Sequence, residues 1–503
     1  MNLNRKRLGI SLGVGSAMVL SLVGVPAAHA STTTTLGYAG GWATNGIANP
    51  VNTAGNNTVD TGLAYAPLAH YKYTTDSGYY PALAKSWSFN TKANTLTVHL
   101  NPNAKWSNGS PVTANDVYVT FELQFLDMNA ESWTLTGMKI LNPTTIVFQK
   151  DPHELYNTTM FERQILNNNW IVAAANYQQY IPKNIWTLVK QANGNPNASS
   201  TKKAQSALTA AYTKATGYNF PLNQLLYDGP WTLSRVTSAQ ELYVKNPYYV
   251  FAKNVTADQV LDINQTTNDV IWRALENGQV AYAGVGYSPT VYKAVMSVHD
   301  NHYINIPQST GMALFFNENT APFNNVKVRQ ALAYLIDRNS LTKIAEPEDG
   351  FVPKYEDGLI EMDNSRYLTP AQLKTLNTYS LNQSKAASLL KSAGFKKTGS
   401  SWVMPNGKPF KFNVYAPNYT DWDQGVDALV SDLQKFGIQA TASVIDATTY
   451  AQEESEGKYP VYVNWWGGWD LAPSQSYNQL YITDNNYCSR SRCLAVIFSP
   501  SSA

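Results

Sequence analysis

Three tryptophans and one carboxylate lie within six positions near the end of the 503-residue chain, in the segment VNWWGGWD (463–470). The rings of Trp465, Trp466 and Trp469 offer apolar faces that also attract cations, and Asp470 can pair with an ammonium group. These residue types suit the binding of a ligand better than the making or breaking of bonds. Because side chains alternate along a strand, Trp465 and Trp466 are predicted to point opposite ways, and Trp466 is favoured for the ligand. The alternative is that Trp465 and Trp469 mainly pack the interior.

Catalytic or metal-binding groups form no recognisable pattern elsewhere. His299 and His302 flank Asp300 and could ligate a metal on a helix, but a solvated loop is the favoured interpretation. After residue 30 the sequence has no G-x-S-x-G elbow, no H-E-x-x-H and no Walker glycine loop. Its acidic clusters, at 346–350 and 453–457, are typical of solvated surfaces. We therefore predict no enzyme, no cofactor and no metal. The alternative is a secreted carbohydrate-binding protein or a glycoside hydrolase, which needs two carboxylates facing one groove.

The first 30 residues have the pattern of a secretory signal peptide. Three basic residues (5–7) precede an apolar run, and Ala-His-Ala (28–30) ends it. A membrane-spanning anchor is the alternative. No cysteine stands at the cleavage site, so there is no sign of a lipid anchor. We predict an exported protein, located in the periplasm or at the cell exterior.

Charge and composition limit the partners. The net charge is +2, and loss of the three basic residues near the start changes it to −1, which gives no reason to expect nucleic acid as a partner. Charged residues make up 14 % of the chain, compared with about 25 % in ordinary domains. Such a surface changes its charge little when pH falls, so an acidic exterior is one hypothesis, and a generally polar secreted surface is the other.

Extended and helical patterns alternate along the chain, which predicts an α/β protein. The segment 191–219 is rich in Asn, Ser and Ala and is predicted to be a surface insertion. The other predicted elements are a strand with Leu96, Val98 and Leu100 on one face, a helix from Ala114 capped by Thr113, a β-hairpin within 228–250, a helix carrying Val328, Leu332 and Leu335 after Asn324 or Asn325, a helix from Ser380 to Gly394, and a helix that stops at Gly437 before a strand.

One segment, FFNENTAPFNNVKVRQALAYLIDRNSL (315–341), resembles a characteristic segment of the family 5 extracellular solute-binding proteins of ABC importers, the peptide- and nickel-binding group. Phe316-Asn317, Pro322-Phe323, Val328 to Ala331 and Asp337-Arg338 match in order. Further matches in family order are YYPALAKSWSFN (79–90), LNPNAKWSNGSPVTANDV (100–117), DGPWTLSRV (228–236), ALENGQVAYA (274–283) and SKAASLLKSAGF (384–395). The resemblance covers roughly residues 36 to 486.

The resemblance implies a two-lobe periplasmic-binding-protein-like fold of type II, with an extra α/β domain inserted in the first lobe. The ligand is then enclosed between lobes that close on it. The implied organisation is a signal peptide at 1–30, lobe one at 31–66 and 181–308, the extra domain at 67–180, lobe two at 309–480, and an incomplete return to lobe one at 481–503.

The same resemblance assigns a role to the tryptophan segment. In peptide-binding members a tryptophan is followed three positions later by an aspartate, which pairs with the ligand's α-amino group, and after four further positions by a proline. Trp466, Trp469 and Pro473 have this spacing, so Trp469 stands in place of the aspartate and Asp470 follows it. Either Asp470 pairs with the amino group, or the ligand is recognised by aromatic surface, as a blocked or longer peptide, an oligosaccharide or a cationic molecule would be. Further candidates for ligand contact are Tyr38 and Trp42 from lobe one and Tyr450 from lobe two.

The tail departs from the family pattern after Tyr487. The two cysteines, Cys488 and Cys493, stand there, and they cannot form a disulfide framework. We expect the sequence to leave its frame or to be cut short near this point. The implied partners are a peptide or oligosaccharide ligand and the permease and ATPase subunits of an ABC importer, with the binding protein itself a monomer.

Overall fold

The structure is a computed structural model in which strands and helices alternate along the chain. It describes residues 33–40, 46–52, 58–72, 78–126, 135–152, 158–167, 170–195, 197–264, 268–284, 289–299, 301–304, 310–345, 350–357, 359, 361–446, 449–450, 453–454 and 456–467. The predicted signal peptide and the tail after Gly467 lie outside these residues.

The strands are β1 (Thr35–Gly40), β2 (Ala69–Tyr71), β3 (Tyr79–Pro81), β4 (Ala84–Asn90), β5 (Thr95–Leu100), β6 (Leu135–Asn142), β7 (Thr145–Lys150), β8 (Trp231–Val236), β9 (Gln240–Lys245), β10 (Gln259–Asn264), β11 (Thr310–Phe316), β12 (Lys396–Thr398), β13 (Ser401–Val403), β14 (Lys411–Pro417), β15 (Gln439–Ile445) and β16 (Val461–Gly467).

The α-helices are α1 (Thr61–Ala64), α2 (Ala114–Gln124), α3 (Thr158–Leu166), α4 (Ala174–Tyr177), α5 (Ile185–Ala192), α6 (Ser199–Gly217), α7 (Asn268–Glu276), α8 (Pro289–Met296), α9 (Val326–Ala333), α10 (Arg338–Ala345), α11 (Glu361–Tyr367), α12 (Pro370–Leu373), α13 (Gln383–Ser392) and α14 (Thr420–Phe436).

The first sheet has the strand order β1-β10-β9-β8. β1 and β10 are parallel, and β9 is antiparallel to both β10 and β8. β8 and β9 form the predicted hairpin. On the outer side of β1, the segment around Tyr282 runs parallel to it. Its approach requires Gly37, because a Cβ at that position would lie 1.8 Å from the carbonyl oxygen of Gln279.

A second sheet, β4-β5-β7-β6, is antiparallel throughout. The alternation predicted for β5 is confirmed, since Leu96, Val98 and Leu100 are buried. The helix predicted at Ala114 is also confirmed as α2. Its start is fixed by Asp116, whose carboxylate accepts hydrogen bonds from the Thr113 N–H at 2.7 Å and the Thr113 hydroxyl at 2.8 Å.

The third large sheet has the order β11-β16-β14-β15. β14 and β15 are parallel, β16 is parallel to β14, and β11 is antiparallel to β16. Helix α14 packs on this sheet and ends as predicted at Gly437, whose φ of +98° suits glycine.

Two large hydrophobic cores lie apart in the sequence. The described members of the first core run from Ala48 to Val260 and come from both the first and the antiparallel sheet. Those of the second run from Phe323 to Val463 and pack the third sheet against α9, α13 and α14. The predicted boundaries of the lobes and of the extra domain remain a prediction. The first core shows that residues from the ranges predicted for lobe one and the extra domain pack together.

Three local predictions were wrong. The predicted surface insertion at 191–219 contains α6, because Ala204, Leu208, Ala211 and Ala215 recur at helical spacing and are buried. Asn49 fastens the end of α6 to the core by donating to the carbonyl oxygens of residues 215, 216 and 218. Composition alone hid this periodicity.

The other two wrong predictions concern helix ends. α13 is capped by Asn382, which accepts from the Lys385 N–H at 2.9 Å, and it does not begin at Ser380. The helix predicted to carry Val328, Leu332 and Leu335 ends at Ala333, before Leu335, and α10 begins at Arg338. It breaks because neighbouring elements bind its backbone: the Asn382 N–H donates to the Tyr334 carbonyl at 2.8 Å, and the Asp337 N–H donates to the Asp432 carboxylate at 3.2 Å.

Candidate ligand-binding site

The described part of the tryptophan segment, residues 463–467, lies in β16 and ends at the carboxyl edge of the third sheet. The parallel strands β14, β15 and β16 end there at Pro417, Ile445 and Gly467, and β11 begins opposite Gly467 at Thr310. Ligands of open α/β sheets bind outside this edge. Trp466 is the last residue but one of β16. Trp469 and Asp470, which follow, lie outside the described residues, and their ligand contacts stay predictions.

Strand register distinguishes positions 465 and 466. Val461 and Val463 are buried in the core, and position 465 continues their alternation. Position 466 alternates with Tyr462 and Asn464 on the other side of the sheet. It is paired with Gly311 of β11, where an added Cβ would meet none of the described atoms within 4 Å. The described residues thus leave room beside position 466. The structure does not describe the side chains of Trp465 and Trp466, so the roles of both remain predictions.

The side of the sheet away from the core carries stacked aromatic rings. Tyr462 stacks on Phe315 with ring centroids 5.3 Å apart and planes 14° apart. Tyr415 stacks on Tyr459 at 4.4 Å and 18°. Asn464, in β16, donates to the Glu454 carboxylate at 2.5 Å. This side therefore presents rings and a hydrogen-bonded amide next to position 466.

Tyr450 is buried beneath this surface. Its side chain is 3 % exposed, it stacks on Tyr459 at 5.2 Å, and its hydroxyl donates to the Val463 carbonyl at 2.7 Å. Burial raises the pKa of the hydroxyl well above its ordinary range. Tyr450 holds β16 in place just beyond the position at which that strand is paired with β14. Tyr450 was predicted to contact a ligand. Its burial does not favour that contact, which remains a prediction.

On the first sheet, Tyr38 forms part of an aromatic pair. Its ring lies parallel to that of Tyr282, with centroids 5.7 Å apart and planes 4° apart. Tyr38 is partly buried, whereas Tyr282 is 56 % exposed. β1 and β10 end at Gly40 and Asn264, so the pair lies near the carboxyl edge of this sheet. Trp42, predicted beside Tyr38, lies outside the described residues.

Three carboxyl groups lie behind Tyr38. Asp262 of β10 is paired with Tyr38 on one side and with Glu241 of β9 on the other, and both of these acids are 1 % exposed. The third is Asp60. Burial, with the negative charges of Asp60 and Asp262, raises the pKa of Tyr38 to about 12. The Tyr38 hydroxyl is therefore a protonated hydrogen-bond donor at neutral pH.

Glu241 is an acid whose pKa is strongly raised. Burial raises this pKa to about 8, against a hydrogen bond from the Tyr243 hydroxyl to Oε2 at 2.8 Å, which lowers it. The Tyr243 hydroxyl in turn accepts from the Asp60 N–H at 2.7 Å. Glu241 Oε1 is buried and has no hydrogen-bond partner among the described residues. Glu241 is accordingly a neutral acid over much of the physiological pH range.

Sequence reasoning missed Tyr282 and the acids. The signal for the acids was available, since Glu241 and Asp262 interrupt strands in which alternate residues are apolar. Tyr282 carried no such signal, because only the crossing of two distant segments at Gly37 brings it to Tyr38. A separate hollow of about 300 Å³ at the start of α10 is lined by Asp337, Arg338 and Lys354. No predicted site residue lines it.

Metal and membrane features are lacking in the part of the chain that the structure describes. No group of three or more His, Cys, Asp or Glu side chains there is arranged to hold a metal. No described helix combines the length and apolar character needed to cross a bilayer.

The profile of the bacterial extracellular solute-binding proteins, family 5 (middle), matches residues 78–488. The nickel-binding periplasmic protein of Escherichia coli is 24 % identical over 443 residues, which cover 82 % of this chain and 71 % of that protein. The periplasmic oligopeptide-binding protein of Haemophilus influenzae is 24 % identical over 438 residues, covering 82 % and 70 %. A Sinorhizobium fredii protein without assigned function is matched over 65 % of its length.

Solved structures share the fold. A Thermotoga maritima periplasmic oligopeptide-binding protein, described with bound mannohexaose, superposes with a TM-score of 0.65 at 20 % identity. The superposition covers 91 % of this chain and 80 % of that one. The likeness confirms the predicted two-lobe, mixed α/β fold of type II.

Proposed function

Because the chain belongs to the family 5 bacterial extracellular solute-binding proteins, we propose that it captures peptides outside the cytoplasm and delivers them to the permease and ATPase subunits of an ABC importer. Members of this family bind solutes for transport and are not catalysts. This membership confirms the prediction of a non-enzyme and removes the glycoside hydrolase alternative. The peptide ligand, the importer partners, the monomeric state and the exported location are parts of the proposal.

The observation that carries the proposal is the position of the tryptophan segment. β16 brings positions 466 and 467 to the carboxyl edge of its sheet, next to the first residue of β11. The chain reaches β11 from residues of the predicted first lobe, so this edge adjoins the crossing between lobes. A cleft between two closing lobes would enclose a ligand at this edge, where we expect Trp466 to supply a ring and Asp470 a carboxylate.

An oligosaccharide is the second candidate ligand. Trp469 replaces the aspartate that the family resemblance leads us to expect, and the Thermotoga protein with the same fold is described with bound mannohexaose. Aromatic rings suit the apolar faces of sugars as well as those of peptide side chains.

Tryptophan fluorescence of the protein, titrated with a tryptic peptide pool and separately with mannohexaose, tests the proposal. We expect a saturable change with peptides and none with the sugar. Asp470→Asn should weaken the binding of peptides about tenfold or more, whether or not their amines are acetylated, since hydrogen bonds from peptide N–H groups to a charged carboxylate contribute about 1.5–3 kcal/mol. Asp427→Asn, on an exposed position of α14, is the matched control. A response to mannohexaose alone would change the ligand class, and no response to either would refute solute capture of these classes.

A further inference from the structure

The Tyr38–Tyr282 pair offers a flat, exposed ring at the carboxyl edge of the first sheet. Tyr282 is 56 % exposed although its ring is held parallel to that of Tyr38. The backbone fixes this geometry: Tyr38 and Tyr282 are bridged in parallel, and the Ala281 N–H donates to the Gly37 carbonyl at 2.7 Å. One face of the Tyr282 ring is therefore covered by Tyr38, and the opposite, outer face remains for a ligand.

Negative charge is concentrated behind this pair. Asp262 is paired with Tyr38 across the strands, and Asp60 and Asp262 both act electrostatically on the Tyr38 hydroxyl. Glu241 is the next acid in the row, but burial raises its pKa to about 8, so the negative charge comes from Asp60 and Asp262. An aromatic ring attracts cations through its face, and carboxylates behind the ring add to the attraction because screening by water is weak in the interior.

Another exposed tyrosine shows what such a ring attracts in this protein. Tyr80 is 62 % exposed, and the Lys72 ammonium nitrogen lies 4.4 Å from its ring centroid. Among the described residues no lysine or arginine is placed over Tyr282, which has the acids behind it. The ring of Tyr282 is open to a cation from outside the chain.

We propose that the outer face of Tyr282, backed by Tyr38 and the carboxyl groups of Asp60 and Asp262, binds a primary ammonium group of the ligand. The inference rests on the proposed peptide-binding function and deepens it, since it assigns charge recognition to the first sheet. In this chain Trp469 occupies the place of the aspartate that pairs with the ligand's amino group in the family. A site on the first sheet would explain how a ligand with an amino group can still be recognised.

The test compares a tryptic peptide pool with the same pool after complete acetylation, which removes every primary amine. Tryptophan fluorescence titrations with both pools are made on the wild-type protein and on Tyr282→Ala and Tyr282→Phe. We expect the wild type to bind the native pool about fivefold more tightly than the acetylated pool, as one partly exposed cation–π contact would give. Tyr282→Ala should lose this difference, and Tyr282→Phe, which keeps the ring, should retain it. Tyr80→Ala, at an exposed ring already covered by Lys72, is the matched control.

Several outcomes would overturn the inference while leaving peptide capture intact. Equal binding of both pools by the wild type would show that no ammonium group is recognised. Equal weakening of both pools by Tyr282→Ala would show a ring that packs on uncharged ligand groups. A preference for amines that survives in Tyr282→Ala would place the cation elsewhere. Failure of both pools to bind the wild type would refute the proposed function and the inference together.

Discussion

Replacing Glu241 by glutamine should remove a large part of the pH dependence of stability. The pKa of Glu241 is raised from 4.5 to about 8 by burial. Below the unfolded pKa the carboxyl group is protonated in both states, and the contribution of the neutral acid to stability is fully present. As pH rises from the unfolded to the folded pKa, the unfolded state ionises first, and this stability is lost. At 1.36 kcal/mol per pKa unit, the loss between pH 5 and pH 8 is about 3–4 kcal/mol. The amide of the substituted side chain would not titrate, and its oxygen can still accept from Tyr243.

The assay is urea unfolding at pH 5 and pH 8. Wild type should be less stable at pH 8, and the drop should be smaller by about 3–4 kcal/mol in Glu241→Gln. Asp60 and Asp228, whose pKa values are also raised by burial, remain in both proteins, so the difference isolates Glu241. Glu276→Gln, at an exposed position of α7, should keep the wild-type drop. Parallel pH dependence in wild type and Glu241→Gln would refute the assignment of a neutral, buried acid.

Three further substitutions, two of them near the site and one at the end of α6, test contacts that stabilise the fold, each by thermal and urea unfolding. Gly37→Ala should destabilise by about 1–3 kcal/mol or more, because its Cβ would lie 1.8 Å from the Gln279 carbonyl oxygen; an unchanged stability would contradict the close crossing. Tyr450→Phe removes the 2.7 Å bond to the Val463 carbonyl and should cost about 1–2 kcal/mol; no loss would mean that the hydroxyl does not hold β16. Asn49→Ala leaves the carbonyl groups of Ala215 and Tyr218 without the Asn49 amide donor, while the Thr216 carbonyl keeps the Asn52 amide, and should cost about 2–4 kcal/mol; a smaller loss than in Tyr450→Phe would contradict this anchoring role.

Local periodicity and capping rules predicted much of the fold. The strand at Leu96 to Leu100, the helix after Thr113 and the stop at Gly437 depend on neighbouring residues only, so they could be found from sequence. The split between α9 and α10 could not, because the Asn382 and Asp432 groups that cause it are distant in the chain.

The candidate site divides in the same way. The tryptophan segment was visible because its composition is unusual over eight residues. The Tyr38–Tyr282 pair and the row from Asp262 to Glu241 were hidden, because they form where four separate segments meet. Buried acids in strands are a signal that sequence reasoning can use, but their partners are set by register.

The sequence-contiguous first core has a consequence for how the chain assembles. All its described members lie between Ala48 and Val260, whereas those of the second core begin at Phe323. Domains generally fold as units in the order in which they emerge. If the chain leaves a translocation pore amino-terminus first, the first core can form before the residues of the second core are available. The amino-terminal half would then be folded before the later half packs against it. Limited proteolysis at early times should therefore cut the chain after residue 260.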